Sequence, residues 1–308
     1  MQVVIAGGTG IIGRALAPGL AEDGHNVIVL SRNPDTAKSA SSDSVRYVQW
    51  DTGDLGAWSE LVDGSDVVIN FAGDNLAGDR FLPSRWTGAK KQILRKSRLE
   101  TGAAIANVIA AAKVKPRALI QASAVGYYGP RGNEKVAETE PAGDDFLANL
   151  CLEWEESTRQ VEEQGIRRVI LRTGIVLTSE GGPLPRLLKQ FQLFAGGSFG
   201  RGDQYWPWIH IEDVASAIRF LVENEEATGP FNITSPTPVT NKQFSESLST
   251  VLNRPSFWPI PAFAMKILVG EVSIIVLEGQ RAIPAKLTEL GYEFKYAELG
   301  SALEDILS

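Results

Sequence analysis

The chain has 308 residues, of which 44% are hydrophobic, and these values predict a globular protein rather than a disordered one. Thirty lysines and arginines against 37 acidic residues give a net charge of −7, which repels phosphate backbones and argues against nucleic acid as a partner. One cysteine and two histidines exclude an internal disulfide and a structural zinc site, and no metal site is expected.

The sequence carries no pattern of a targeting signal or a membrane span. Apolar residues begin at once, without a basic leader or a cleavage-type pattern, so we expect a cytoplasmic protein. The most apolar late stretch, residues 262–277, contains Lys266 and Glu271, so no membrane segment is expected.

Short apolar runs alternate with helical patterns through most of the chain. Such runs are typical of strands covered on both faces, as in a parallel sheet with helices on each side. We predict strands at residues 2–6, 26–30, 45–50, 66–70, 118–122 and 168–172. Residues 85–112 and 211–222 have helical patterns, so the alternation predicts an α/β, Rossmann-type doubly wound parallel sheet.

The first predicted strand ends in a glycine-rich turn. Residues 7–13 read GGTGIIG and match G-x-G-x-x-G between a strand and a helix. In this context glycines let the backbone approach a pyrophosphate, and the helix N-terminus attracts the anion. The alternative is a turn that only joins strand to helix. We favour dinucleotide binding, and the absence of a following Gly-Lys-Ser/Thr excludes a P-loop.

The end of the second strand indicates which dinucleotide is bound. An NAD site usually has an acidic residue here for the ribose hydroxyls, whereas this chain has Ser31 and Arg32. An arginine pairs with a 2′-phosphate that a carboxylate would repel, so the sequence favours NADP(H). The alternative is a solvated arginine in a loop.

Glycine- and proline-rich loops become frequent after residue 172 and predict a second, smaller lobe. We predict an NADP-binding Rossmann domain of residues 1–175, to which residues 211–233 return. Residues 176–210 and 234–308 are predicted to form the smaller C-terminal lobe on the substrate side.

Further motifs follow in order along the chain. They are NFAG at 70–73, RWT at 85–87, SR at 97–98, SAVGYYG at 123–129, WIHxxD at 208–213, RP at 254–255, GQR at 279–281 and Pro284. With them, nearly the whole chain resembles an atypical extended short-chain dehydrogenase/reductase of the epimerase family protein subgroup. Its last segment resembles that subgroup's own C-terminal domain.

The resemblance implies an NADP(H) site assembled from several strand ends. The implied cofactor residues are Gly7, Thr9, Gly10, Ile12 and Gly13 at the pyrophosphate, Ser31 and Arg32 at the adenosine phosphate, Asp51 at the adenine, Phe71, Ala72 and Gly73 along the ribose and pyrophosphate, Arg98 on the long helix, and Val176 at the nicotinamide.

The chain departs from the family in its catalytic residues. Ordinary members use Ser, Tyr and Lys, the last two spaced Y-x-x-x-K, with the lysine lowering the pKa of the tyrosine. Ser123 matches the serine, but Leu147 and Cys151 fall at the tyrosine and lysine positions, and the chain contains no Y-x-x-x-K.

Several residues are candidates for the missing proton donor. Ser123, Tyr127 and Tyr128 are the candidate catalytic residues. Ser123 is expected to polarise the reacting oxygen, and Tyr127 and Tyr128 are candidates to supply the proton, although an aromatic residue near a pocket more often shapes it. Cys151 is either a reactive thiol or, as we favour, a buried small hydrophobe. His210 is either a proton carrier or, as we favour because a helix is predicted to begin directly after it, a residue that caps a helix or satisfies a loop carbonyl.

A basic set next to the long helix has two interpretations. Arg80, Arg85, Lys90 and Lys91 either recognise an anionic substrate or, as we favour, form a solvated helix face.

We therefore expect an NADP(H)-binding, epimerase- or oxidoreductase-like enzyme that acts on an unidentified small molecule. The alternative is a catalytically inactive, NADP(H)-dependent redox sensor or regulatory binding protein. Assembly into a homodimer is compatible with the sequence, and neither nucleic acid nor membrane is expected as a partner.

Overall fold

The computed structural model describes residues 1–34, 45–51, 56–78 and 83–308. Its strands are β1 Gln2–Ala6, β2 Asn26–Ser31, β3 Val45–Gln49, β4 Val67–Asn70, β5 Ala118–Ala124, β6 Lys135–Val136, β7 Arg167–Thr173, β8 Ile175–Leu177, β9 Tyr205–Trp206, β10 Trp208–His210, β11 Gly229–Ile233, β12 Val239–Thr240 and β13 Arg281–Ala282. Its helices are α1 Ile11–Glu22, α2 Gly56–Val62, α3 Gly88–Ala111, α4 Phe146–Glu156, α5 Leu184–Gln192, α6 Ile211–Glu223, α7 Asn241–Leu252, α8 Ala262–Val269, α9 Ile274–Leu277, α10 Ala285–Glu289 and α11 Leu299–Leu307.

Seven parallel strands form the central sheet, in the order β11-β7-β5-β4-β1-β2-β3. The six predicted strands are all present, and their ends differ from the prediction by no more than two residues. Strand order reverses between β1 and β4, which is the switch point at which open α/β sheets bind ligands at their carboxyl ends. The predicted Rossmann-type fold is confirmed.

Both faces of the sheet are buried. Because successive side chains of a strand point to opposite sides, each strand contributes residues to two cores. In β1, Val3 and Ile5 pack in the same core as α1 and α6, whereas Val4 and Ala6 pack in the core that contains α3 residues. The apolar strands are therefore explained by helices on both faces.

A separate apolar cluster lies in the chain's later part. Leu177, Trp206, Trp208 and Phe244 pack there with residues of α11 such as Leu303. Short strand pairs accompany this cluster: β8 with β10, and β9 with β12. By contrast, β11 joins the central sheet beside β7, and α6 packs on α1.

Two helices begin at side-chain caps. The helix predicted from residue 85 begins at Gly88, because the Thr87 hydroxyl accepts a hydrogen bond from the amide of Lys90. The predicted cap role of His210 is confirmed, since its Nδ1 accepts from the amide of Glu212 at 3.2 Å. Burial lowers the pKa of His210, which favours the neutral imidazole that this bond requires.

No helix in the described ranges combines the length and the apolar character needed to cross a bilayer.

Asp213 ties the C-terminal segment to α6. Its carboxylate is fully buried in α6 and accepts hydrogen bonds from the backbone amides of Lys295 at 2.8 Å and Tyr296 at 2.9 Å. The Tyr292 hydroxyl lies 3.4 Å from the same carboxylate. A charged acceptor buried with several donors fixes the chain that precedes α11.

We expect Asp213→Ala to lower the free energy of unfolding by roughly 2–4 kcal/mol, because the buried amides would lose their charged acceptor. Urea unfolding measures the effect. The matched control is Glu212→Ala, whose carboxylate pairs with Lys295 in solvent and whose loss should cost less than about 1 kcal/mol. Equal effects of the two substitutions would contradict this role of Asp213.

Candidate functional site

The glycine turn, residues 7–13, approaches the end of β4 so closely that no side chain fits between the two backbones. Gly7 has a φ of +73°, and a Cβ there would lie 2.7 Å from the backbone nitrogen of Ala72. A Cβ on Gly13 would lie 2.3 Å from the carbonyl oxygen of Gly8. Gly7 and Gly13 are therefore required for the fold of the turn. Gly10 differs, because its Cβ would meet only the Gly7 oxygen, at 3.5 Å.

Helix α1 begins in this turn without a side-chain cap. Gly10 is its N-cap and no acidic residue occupies the first turn, whereas α3, α4, α6 and α7 each begin with a capping side chain. The first amides of α1 are left to an external acceptor, and together with the helix dipole they favour an anion.

A polar cleft of about 590 Å³ opens along the turn, β2 and β4. That volume is within the range of about 300–1,000 Å³ that is typical of ligand pockets. Nine of the thirteen predicted cofactor residues line it: Gly7, Thr9, Gly10, Ser31, Arg32, Asp51, Phe71, Ala72 and Gly73.

The end of β2 is held by local hydrogen bonds. The Ser31 hydroxyl accepts from the amide of Asn33 at 3.1 Å, and the Gln49 amide donates to the Arg32 carbonyl at 2.8 Å. These bonds fix the backbone of Arg32 while its side chain is exposed at the cleft. An exposed cation on a fixed backbone is suited to bind a phosphate at this rim.

Three predicted cofactor residues contribute to packing. Gly13 lets α1 lie against the turn, and Ile12 packs on the core beneath it. Val176 is half-buried in β8, opposite Ile209 of β10. Their predicted contacts with a cofactor stay predictions.

Sequence analysis missed one wall of the cleft, which is formed by α3. Lys96, Ser97, Glu100 and Thr101 line it from this helix, and Gln49 and Trp50 line it from the end of β3. The sequence does carry a signal for this wall. Polar residues recur at i, i+4 spacing on the helix, 96 with 100 and 97 with 101, and therefore share one helix face. Lys96 brings a second cation to the cleft.

Arg98, the remaining predicted cofactor residue, lies between the cleft and a second cavity. A Cβ on Gly73 in the cleft would lie 3.3 Å from its guanidinium carbon. The guanidinium also stacks over Trp154 at 4.8 Å and donates to the Leu94 carbonyl at 3.1 Å. Arg98 is only 7% exposed, and burial lowers its pKa.

The second cavity, of about 210 Å³, borders the carboxyl ends of β5 and β7. Ala124 and Thr173 line it at those strand ends, and Leu147 and Cys151 line it from α4. Leu147 and Cys151, which sequence analysis places at the family's tyrosine and lysine positions, therefore both face this cavity.

Ser123 belongs to a buried polar network. Its hydroxyl donates to Glu155 at 2.7 Å, and Glu155 forms a two-pronged ion pair with Arg172, with both distances 3.0 Å. Both charged side chains are buried, so each depends on the other for its charge balance. The Ser123 hydroxyl proton is therefore committed to Glu155 rather than to a substrate oxygen.

The two tyrosines surround the same arginine. Tyr128 is fully buried, donates to the Asn232 side chain at 2.7 Å and accepts from Arg172 at 3.1 Å. Burial raises the pKa of Tyr128 to about 12, opposite to the shift that a catalytic tyrosine requires. Tyr127 stacks on the Arg172 guanidinium at 3.4 Å. Neither tyrosine, nor Ser123, is among the described residues lining the two cavities, and their catalytic role stays a prediction.

The described members of the basic set have local partners. Lys90 pairs with Asp74 and Lys91 with Glu271, and the Arg85 guanidinium donates to backbone carbonyls of α8. Arg85 is exposed, as the favoured interpretation of a solvated helix face expects, whereas Lys90 and Lys91 are half-buried in these ion pairs. Arg80 lies outside the described residues.

Comparisons with known proteins agree with this geometry. A model of the NAD dependent epimerase/dehydratase family matches residues 3–234, and a model of the domain of unknown function DUF1731 matches residues 260–306. The Bacillus subtilis epimerase family protein YfhF is 38% identical over 309 residues, covering 100% of this chain and 98% of its own. The crystal structure of human epimerase family protein SDR39U1 (isoform 2) with NADPH has a TM-score of 0.89 and 33% identity, covering 99% of each chain.

Cys151 is the only cysteine, so its reactivity has a direct readout. Burial raises the pKa of its thiol to about 12, and the charge of Glu155 acts in the same direction. We expect the native protein at pH 8 to react with a thiol-specific disulfide reagent at least about a hundredfold more slowly than the urea-unfolded control. Rapid labelling of the native protein would show instead that Cys151 is a reactive thiol.

Proposed function

Because the chain belongs to the NAD-dependent epimerase/dehydratase family, we propose that it binds NADP(H) in the 590 Å³ cleft and acts on a small molecule in the adjoining cavity. The observation that carries the proposal is the cleft itself, which combines an uncapped helix N-terminus with nine residues predicted for the cofactor. The human relative crystallised with NADPH supports it.

The predicted resemblance to extended short-chain dehydrogenases/reductases and to their epimerase family subgroup is confirmed by these matches. The predicted subgroup-specific C-terminal domain corresponds to the match at residues 260–306.

In this proposal, each part of the cleft binds a different part of the cofactor. The amides at the start of α1 hold the pyrophosphate, and Gly10 leaves room for it. Arg32 pairs with the 2′-phosphate, while Lys96 adds positive charge on the facing helix. When bound, the nicotinamide supplies hydride transfer to or from a substrate carbon.

The proposed hydride transfer also requires a group that donates or accepts a proton. Tyr127 and Tyr128 remain the predicted candidates for it, and Ser123 remains the candidate for polarising the reacting oxygen. Their contacts with Glu155 and Arg172 favour a role in positioning. A non-enzymatic redox sensor is the second candidate function. The specific observation that favours it is the apolar pair Leu147 and Cys151 at the tyrosine and lysine positions.

We expect Arg32→Ala to weaken NADPH binding about tenfold to a hundredfold and to leave NADH binding within about twofold, because only the 2′-phosphate contact is lost. Calorimetric titration of both cofactors is the measurement. Arg46→Ala is the matched control, since Arg46 is exposed on β3 and does not line the cleft. An equal loss of both cofactors would contradict the assignment of Arg32.

We expect Gly10→Val to abolish the rise in melting temperature that NADPH causes, because the new side chain fills the anion site without a clash in the fold. Thermal unfolding with and without NADPH measures it. Gly88→Val is the control, since a Cβ there meets nothing within 4 Å and the residue lies at the start of α3, away from the cleft. A full NADPH response in Gly10→Val would place the pyrophosphate elsewhere.

A further inference from the structure

The cavity beside the cofactor cleft restricts what the protein takes as its second ligand. Its volume of about 210 Å³ is below the range of about 300–1,000 Å³ that is usual for pockets binding drug-sized molecules. Ala124 and Thr173, at the carboxyl ends of β5 and β7, border it. Any part of a cofactor that reaches these strand ends takes up some of this space, so the room left for a second molecule is small.

The walls of the cavity are mainly apolar. Leu147 and Leu150 contribute from α4, and Ile274 and Ile275 contribute from the C-terminal segment. Apolar walls favour a ligand that replaces water with carbon atoms. They expose little polar surface to the hydroxyls of a sugar, each of which loses its water on entry and needs a hydrogen-bond partner.

The charges of the cavity also exclude a diphosphate. Arg98 is the one cation among the described residues that line it, while Asp145 and Glu278 bring two carboxylates. Recognition of a nucleotide diphosphate needs several cationic or amide donors. Both sites have carboxylates, since Asp51, Asp74 and Glu100 line the cleft. The two sites differ in their donors: the cleft has the amides at the start of α1, Arg32 and Lys96, whereas Arg98 is the one cation among the described residues of the cavity.

We propose that this cavity binds a small, largely apolar molecule with a carbonyl or hydroxyl group, and that it does not bind a nucleotide-diphosphate sugar. The proposal rests on the proposed function, since NADP(H) in the cleft makes this cavity the second site. Arg98 is the polar group that addresses the ligand oxygen, because its guanidinium is buried and, within the described residues, donates one hydrogen bond, to the Leu94 carbonyl.

Saturation-transfer NMR on the protein saturated with NADP⁺ tests this proposal without relying on turnover. The probes are cyclohexanone and acetophenone on one side and UDP-glucose on the other. The filled cleft prevents UDP-glucose from binding there as a cofactor analogue. We expect saturation transfer to at least one carbonyl probe and none to UDP-glucose.

A cavity-filling substitution gives the matched comparison. Ile275→Trp should reduce the carbonyl-probe signal at least about fivefold, because the larger ring occupies the cavity. Ile267→Trp is the control, since Ile267 is 67% exposed on α8 and should leave the signal unchanged. Both variants should keep the full NADP⁺-induced rise in melting temperature, which reports an intact fold and cleft.

Binding of UDP-glucose, or a carbonyl-probe signal that Ile275→Trp leaves unchanged, would overturn the proposal. Absence of signal from both carbonyl probes would also overturn it. A failure of the proposed function is measured separately: in that case NADP⁺ does not raise the melting temperature of the unmodified protein.

Discussion

The contact between the glycine turn and the end of β4 is the constraint on which the site depends. Residue 7 must be glycine because its φ is +73° and because a Cβ there would lie 2.7 Å from the backbone nitrogen of Ala72. This approach places the uncapped start of α1 over the point at which strand order reverses. The cleft, its anion-attracting end and its neighbouring cavity all follow from that placement.

A second constraint lies behind the sheet's carboxyl ends, where Glu155 and Arg172 form a buried ion pair. Burial alone would lower the pKa of Arg172, but its hydrogen bonds to Glu155 and the charge of Glu155 raise it. The pair engages Ser123 and Tyr128, which are the polar residues nearest to a conventional catalytic arrangement. Charge balance inside the protein therefore takes precedence over the contacts these side chains could make with a ligand.

Patterns local in sequence allowed the sheet and much of the cleft to be predicted. Apolar runs located six strands because a strand buried on both faces excludes polar residues from a continuous stretch. The positions of the glycine turn and of Arg32 at the cleft were predicted for a similar reason, since both are set by the neighbouring strand and helix. The cap role of His210 was also local, because its acceptor nitrogen meets an amide two residues later.

Features that depend on distant segments escaped prediction. Lys96 and Thr101 face the cleft only because α3 lies across the end of β4. Asp213 gains its partners 82 and 83 residues later in the chain, and Ser123 meets Glu155 across 32 residues. Periodicity indicates that such residues are polar and in helices or strands, but the partners are set by tertiary packing.

A crystal structure of the protein grown with NADPH is the most direct measurement of the central claim. The account predicts the 2′-phosphate at Arg32, the pyrophosphate at the amides of Gly10 and Ile11, and the nicotinamide directed to the cavity bordered by Ala124 and Thr173. A cofactor bound away from the glycine turn, or a cleft left without NADPH at saturating concentration, would contradict it.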